Sequence, residues 1–254
     1  MPSRRQFLST TAAALVSGPT FALGGKDSKK KGWAGGDGRM HKKFGAHWYY
    51  NWTPNREAGN PEFVPMIKGS WNVNGGTFNK IKGYPGITHL LGYNEPERKD
   101  QANMPMEKAL ELWPQLVQLA EAKNLKLGSP APSSDDGGMR YLDEFMKQAK
   151  RKKLRVDFVA VHWYRSRDPD AFEDFVKDLA KKYRLPIWIT EFNGWSGPED
   201  ENYDFLKDAL RFLERDRKVE RYAYFEPGAG KPHSLLKPDG SLTRMGELYR
   251  DAGT

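Results

Sequence analysis

LLGYNEPE, residues 90–97, runs from a short apolar stretch straight into an amide, a carboxylate and a proline. The same grammar recurs along the 254-residue chain. KFGAHWYY (43–50) leads into NW, VDFVAVHWY (156–164) into Arg165, LPIWITEF (185–192) into NGW, and RYAYFEP (221–227) into Gly228. Near-continuous apolar runs of this kind suit parallel strands covered on both faces. Amphipathic helical patterns separate them at 106–124, 139–153, 169–184, 202–215 and 243–251. Several carry acids early and bases late, as the helix dipole prefers. Strand–helix alternation on this scale predicts an α/β fold, a (β/α)8 TIM barrel, as one domain.

Counting back from 221–227 as the eighth strand makes 185–192 the seventh, 156–164 the sixth, LKLGS (125–129) the fifth and ITHLLGY (87–93) the fourth. KFGAHWYY and EFVPMI (62–67) then serve as the first two. The third must lie in 69–86, where five glycines leave room only for a short or degenerate strand. The barrel is expected over 43–254, after a Gly/Lys/Asp-rich linker at 23–42 whose KDSKKK run reads as a solvated tail.

Residues 1–22 read as a Tat-type signal peptide. Arg4 and Arg5 in SRRQFL form a twin-arginine pair, a weakly apolar stretch follows, and Thr20-Phe21-Ala22 offers small residues for cleavage. The chain is therefore expected to be exported to the periplasm or beyond, with no membrane contact after cleavage. Its net charge of +8 falls to +6 on losing that segment, 39 basic against 33 acidic residues. No nucleic-acid reader motif accompanies the charge. The absence of cysteine excludes disulfides, thiolate metal sites and a cysteine nucleophile. The five histidines have no metal-ligand spacing, and no glycine loop cradles phosphate, so no metal and no cofactor is expected. A monomer is expected.

In a (β/α)8 barrel the chemistry sits at the C-terminal strand ends. Glu95 and Glu191 each end an apolar strand, so both would face one mouth. Two carboxyl groups across a cleft are the minimum equipment for glycoside hydrolysis. The aromatic residues near the strand ends, Trp48, Tyr49, Tyr50, Trp52, Trp71, Trp195 and Phe225, suit stacking against the C–H faces of sugar rings, or packing in the core. His162, Trp163 and Tyr164 end the sixth strand, and only one of Trp163 and its neighbours can face inward.

LLGYNEPE resembles the Asn-Glu-Pro signature of clan A glycoside hydrolases, and WITEF resembles their nucleophile motif. The ordered set HWYYNW, EFVPMI, LLGYNEPE, LGSPAP, VAVHWY, WITEF and RYAYFEP is similar to glycoside hydrolase family 128, over about residues 43–250. The resemblance implies a small barrel that cleaves β-1,3-glucan with retention. It implies Glu95 as acid/base, Glu191 as nucleophile, Asn94 on the sugar 2-hydroxyl, and His162 on Glu191 or a sugar hydroxyl. Lys68 stands where the family pattern has an aromatic, and Tyr224 where it has a tryptophan. The rival readings are a non-catalytic carbohydrate-binding barrel and a clan A hydrolase or transglycosylase acting on another β-glycan. The export reading has its own test. Replacing Arg4 and Arg5 together by lysine should leave uncleaved protein in the cytoplasm. Undiminished export of that variant, followed by fractionation, would refute it.

Overall fold

The computed structural model describes residues 28–35, 40–57 and 61–253. The segment read as a signal, 1–22, lies outside them, as does part of 23–42. Eight strands follow in chain order: Lys31–Ala34 (β1), Trp48–Tyr50 (β2), Glu62–Phe63 (β3), His89–Leu90 (β4), Lys126–Leu127 (β5), Val159–Trp163 (β6), Ile187–Phe192 (β7) and Val219–Phe225 (β8). The helices are Met40–Phe44 (α1), Gly75–Gly83 (α2), Met106–Lys123 (α3), Asp136–Arg151 (α4), Pro169–Tyr183 (α5), Glu199–Arg215 (α6) and Arg244–Asp251 (α7).

All ladders are parallel. One sheet has the order β3-β2-β1-β8-β7-β6, and β4 pairs with β5. Single parallel bridges, Met66 to Leu91 and Gly128 to Phe158, join the two sheets at both seams. The strand order thus runs round from β1 to β8 and back to β1, the (β/α)8 arrangement. Its interior is packed with Trp48, Tyr50, Phe158 and Trp188 against small residues such as Ala34, Ala160 and Ala223. Two glycines make the room. A methyl group on Gly32 would fall 2.2 Å from the Trp48 indole, and one on Gly128 would fall 2.4 Å from the Phe158 ring. A second core, including Val161, Trp163, Phe172 and Phe192, lies between strands and helices.

The structure corrects the first half of the sequence reading. The first strand is Lys31–Ala34, inside the stretch read as linker, so HWYY is the second strand and EF the third. The third strand is indeed short, two residues, but it is not in 69–86. That segment holds a 3-10 turn at Ser70–Asn72 and then α2, whose start is capped by the Asn74 side chain accepting from the Thr77 amide.

The lysines disguised β1. Lys30 Nζ donates to the carbonyls of Leu213, Glu214 and Asp216 at the end of α6. Lys31 Nζ donates to those of Tyr249, Arg250 and Ala252 at the end of α7. Helix C-termini leave carbonyls without partners and carry partial negative charge, so two ammonium groups satisfy both needs. Lys31 is 1% exposed, and burial pulls its pKa down to about 8. A pair that reads as solvated thus ties the first strand to the last two helices. A chain beginning at residue 28 should unfold cooperatively on heating, whereas one beginning at residue 43 should show no cooperative transition, because β2 and β8 would be left as open edges. Equal melting temperatures for the two would refute this role of β1.

Candidate active site

The C-terminal strand ends surround a cleft of about 600 Å³ with two unlike walls. One is aromatic: Trp52, Tyr164, Trp195 and Phe225. Its rings touch in series, with centroids 5.9 Å apart for Trp52 and Phe225, 5.8 Å for Tyr164 and Phe225, and 5.6 Å for Tyr164 and Trp195. The other wall is polar and includes Lys68, Asn94, Arg98, Asp100, Gln101 and Asp135. Glu95 and Glu191 both line the floor.

Glu191 faces the cleft because β7 breaks step. Along β6, Ala160 and His162 point inward while Val159, Val161 and Trp163 join the helix-side core. Along β7, Trp188 points inward and Ile187 and Ile189 outward. Strict alternation would then turn Glu191 towards the helices. Instead Val161 pairs with Ile189 and the next residue, His162, pairs with Glu191. Thr190 takes up the extra place, with its hydroxyl 3.3 Å from the Val161 carbonyl. Bulges of this kind re-aim side chains beside active sites.

Three neutral donors converge on Glu191. The Trp52 indole N–H is 2.7 Å from Oε1, the Tyr50 hydroxyl 3.0 Å from Oε1, and the Tyr164 hydroxyl 2.6 Å from Oε2. Burial, reinforced by the Glu191 charge, pushes both tyrosine pKa values well above the ordinary range, so both keep their protons. An indole N–H can only donate, so Oε1 opposite it is an acceptor.

Glu95 is aimed by its backbone. Asn94 donates its amide to the Lys68 carbonyl at 3.0 Å, and Glu95 donates to that of Ala131 at 2.8 Å. Between these anchors Glu95 adopts φ +39°, left-handed and directly before Pro96. Such a conformation costs about 1–3 kcal/mol and persists only where the surroundings enforce it. Trp52 and Trp195, both on the aromatic wall, are also at positive φ.

His162 connects the two acids. Its Nδ1 is 3.0 Å from Glu95 Oε1, and its Nε2 is 3.3 Å from Glu191 Oε1, an ion-pair contact without hydrogen-bond geometry. Burial lowers the histidine pKa, but the charge of Glu191 and the hydrogen bond and charge of Glu95 outweigh it, so the net shift is upward. Arg98 reaches Glu95 Oε2 at 3.8 Å and also lies near Asp100 and Asp135. Asn94 is buried in the wall, with its Oδ1 unpartnered.

Of the residues named from sequence, the structure gathers Asn94, Glu95, His162, Tyr164, Glu191, Trp52, Trp195 and Phe225 around this cleft. It places four others elsewhere. Trp48 fills the barrel interior against Trp188. Tyr49 points outward onto Phe63, and Trp163 onto Phe172 and Phe175. Both odd-face positions follow from strand alternation. Trp71 sits on the 3-10 turn, 55% exposed, outside the cleft lining. Glu97 accepts from the Ser133 amide at 2.8 Å. Sequence reasoning missed the polar wall, because Arg98, Asp100 and Gln101 lie in a charged loop indistinguishable from an ordinary solvated turn.

Comparison with known proteins agrees with this architecture. Residues 30–249 match the model of the family described as glycosyl hydrolase catalytic core. An endo-β-1,3-glucanase of family 128 from Amycolatopsis mediterranei, solved with laminaritriose, is 33% identical. It superimposes with a TM-score of 0.77 over 89% of this chain and 100% of its own. A second family 128 endo-β-1,3-glucanase, from Sorangium cellulosum, is 30% identical with a TM-score of 0.78, covering 88% and 98%. The curated alkali-sensitive linkage protein 1 of Schizosaccharomyces pombe is 31% identical over 221 residues, 81% of this chain and 40% of that protein. The chain thus spans about two fifths of that relative's length. With two carboxylates at the rim of a (β/α)8 barrel and a family match over nearly all the described residues, the chain belongs to the glycosyl hydrolase catalytic core family, as a glycoside hydrolase.

Proposed function

We propose that the protein hydrolyses β-1,3-glucan by double displacement, with Glu191 as nucleophile and Glu95 as acid/base. The observation that carries this is the single imidazole of His162 in contact with both carboxyl groups. It puts the two acids across one cleft, and the solved relatives of comparable length are β-1,3-glucanases. The division of labour rests on their surroundings. Glu191 is 5% exposed and fixed by three donors, as suits a group that attacks one carbon from one direction. The Glu95 side chain is 13% exposed beside Arg98, where it can exchange a proton with solvent.

In the first step a Glu191 oxygen bonds to the anomeric carbon. The glycosidic bond breaks, and Glu95 gives its proton to the departing oxygen. In the second, Glu95 takes a proton from water, the hydroxide oxygen bonds to the anomeric carbon, and the Glu191 ester is released. Two inversions leave the anomeric configuration retained. The unpartnered Asn94 Oδ1 and the aromatic wall would hold the sugar by a hydroxyl and by its C–H faces. In this reading the enzyme works outside the cytoplasm after twin-arginine export. Among the described residues no helix is long and apolar enough to cross a membrane.

Glu191→Ala should abolish laminarin hydrolysis, and added azide, attacking where Glu191 would, should restore turnover with an α-glycosyl azide as product. Glu95→Ala should keep most of its activity on a dinitrophenyl glycoside, whose leaving group needs no proton, and lose about 10²-fold or more on laminarin. Identical behaviour of the two variants on both substrates would overturn the assignment. Early product anomers, followed by NMR, should be β; α anomers would mean inversion. A panel of laminarin, curdlan, lichenan, xylan and mannan tests the substrate class, with cleavage confined to the last two counting against it.

A further inference from the structure

Among the described residues the exposed large hydrophobic side chains are two indoles, and both stand at the cleft end. Trp195 belongs to the aromatic wall. Trp71 has no part in the cleft lining and joins none of the hydrophobic cores of the described residues. An indole left in water forgoes the burial by which aromatic side chains stabilise a fold. Yet this ring is seated. It occupies the space that a side chain on Gly69 would take, since a methyl group there would fall 2.5 Å from two of its carbons. The turn that carries it is pinned. Asn72 donates its amide to the Gly69 carbonyl at 3.0 Å and Val73 to that of Ser70 at 3.0 Å, while Asn74 Nδ2 donates to the Trp71 carbonyl at 2.9 Å. A large flat ring, fixed in place and open to solvent, binds at little cost in ordering.

Its surroundings and its place select the ligand. Ser70, Asn72 and Asn74 flank the ring. Asn72 Oδ1 accepts from the Lys68 amide at 3.1 Å, and its Nδ2 has no partner among the described residues. One ring in a polar surround is too small an apolar patch for a protein partner, which needs several times that area. It matches a sugar, whose apolar C–H face is rimmed by hydroxyl groups. Trp71 also lies three residues beyond Lys68, and Lys68 lines the polar wall of the cleft. In the circle of eight strands, β3, before this turn, is opposite β7, which carries Glu191 and leads to Trp195. A chain lying on the aromatic wall and across the two carboxylates can thus leave the cleft past Lys68, towards Trp71.

We propose that Trp71 is an outlying subsite for the β-glucan itself, occupied only by chains long enough to run past Lys68. The inference rests on the glucan reading of the cleft. A platform remote from the reacting carbon holds substrate and transition state alike, so it lowers KM and leaves kcat unchanged. The enzyme would therefore favour long chains over short ones by binding them, with no difference in the chemical step.

The test measures kcat and KM of full-chain variants on a ladder of oligosaccharides from laminaritriose to laminarioctaose, with a thermal melt of each variant. On the shortest oligosaccharide that the parent cleaves, Trp71→Ala should stay within about twofold of the parent. On laminarioctaose its kcat/KM should fall by about fivefold or more, through KM with kcat unchanged. Trp71→Phe should recover most of that loss, and both variants should melt with the parent. Equal losses at every length, or a loss in kcat, would mean that Trp71 acts through the catalytic centre and would overturn the proposal. A loss that accompanies a lowered melting temperature would overturn it too, by assigning the ring to the fold. A parent inert on every member of the ladder would overturn the glucan reading and this one with it. A parent that cleaves the ladder, with a length profile that Trp71→Ala leaves unaltered, would overturn the outlying subsite alone.

Discussion

A parallel strand buried on both faces offers its side chains alternately to two cores, and Glu191 reaches the right one only because β7 slips by a residue against β6. The contacts of Glu191 with Tyr50, Trp52, Tyr164 and His162 depend on that slip. Thr190 absorbs it, and Phe192 rejoins the helix-side core beyond it. Had the ladder stayed regular, the carboxylate would be buried among phenylalanines without a partner, a cost of several kcal/mol. The bulge therefore exchanges one lost ladder position for a carboxylate with three donors and an imidazole. Glu95 arrives by another local departure, a left-handed residue locked between two backbone hydrogen bonds. Both acids are thus held by backbone irregularity, with rigid regular structure immediately beneath.

Strands four to eight and helices α3 to α7 were legible in the sequence because each is marked by an apolar run or a period that stands out. The N-terminal part was legible only in part: β2 and β3 were read as strands but counted one place too early, because β1 is four residues and α1 five. Periodicity has nothing to count at those lengths. The two lysines at β1 carry the opposite signal from their burial, because their partners are helix-end carbonyls more than 180 residues away. Such long-range satisfaction of a charge leaves no local trace.

Legibility in the site divides along the same line. Glu95, Asn94 and Glu191 stand out because each is polar at the end of an apolar run. The aromatics were legible as a group and illegible one by one, since Trp48, Tyr49 and Tyr50 are successive residues with three different fates. Trp48 packs the interior, Tyr49 the outer layer, and Tyr50 hydrogen-bonds the carboxylate. Phasing them needs the register of β2 against its neighbours, and a three-residue strand does not announce its register. The polar wall, by contrast, looks like any charged loop until the loop is folded against β4.

Lys30 and Lys31, at the start of β1, also bear on the order of events during biosynthesis. They leave the ribosome among the first residues of the domain, and the carbonyls they need, on Leu213 through Asp216 and Tyr249 through Ala252, leave among the last. The β1–β8 ladder has the same delay built in. Until residues 213–252 have emerged, β1 has only β2 to pair with and the ammonium groups remain in water. The circle therefore closes only after β8 and α7 have been made, in a step dominated by contacts of very high sequence separation, which is where folding of such topologies is slowest. A nascent chain that has not yet exposed β8 is an open sheet awaiting that strand.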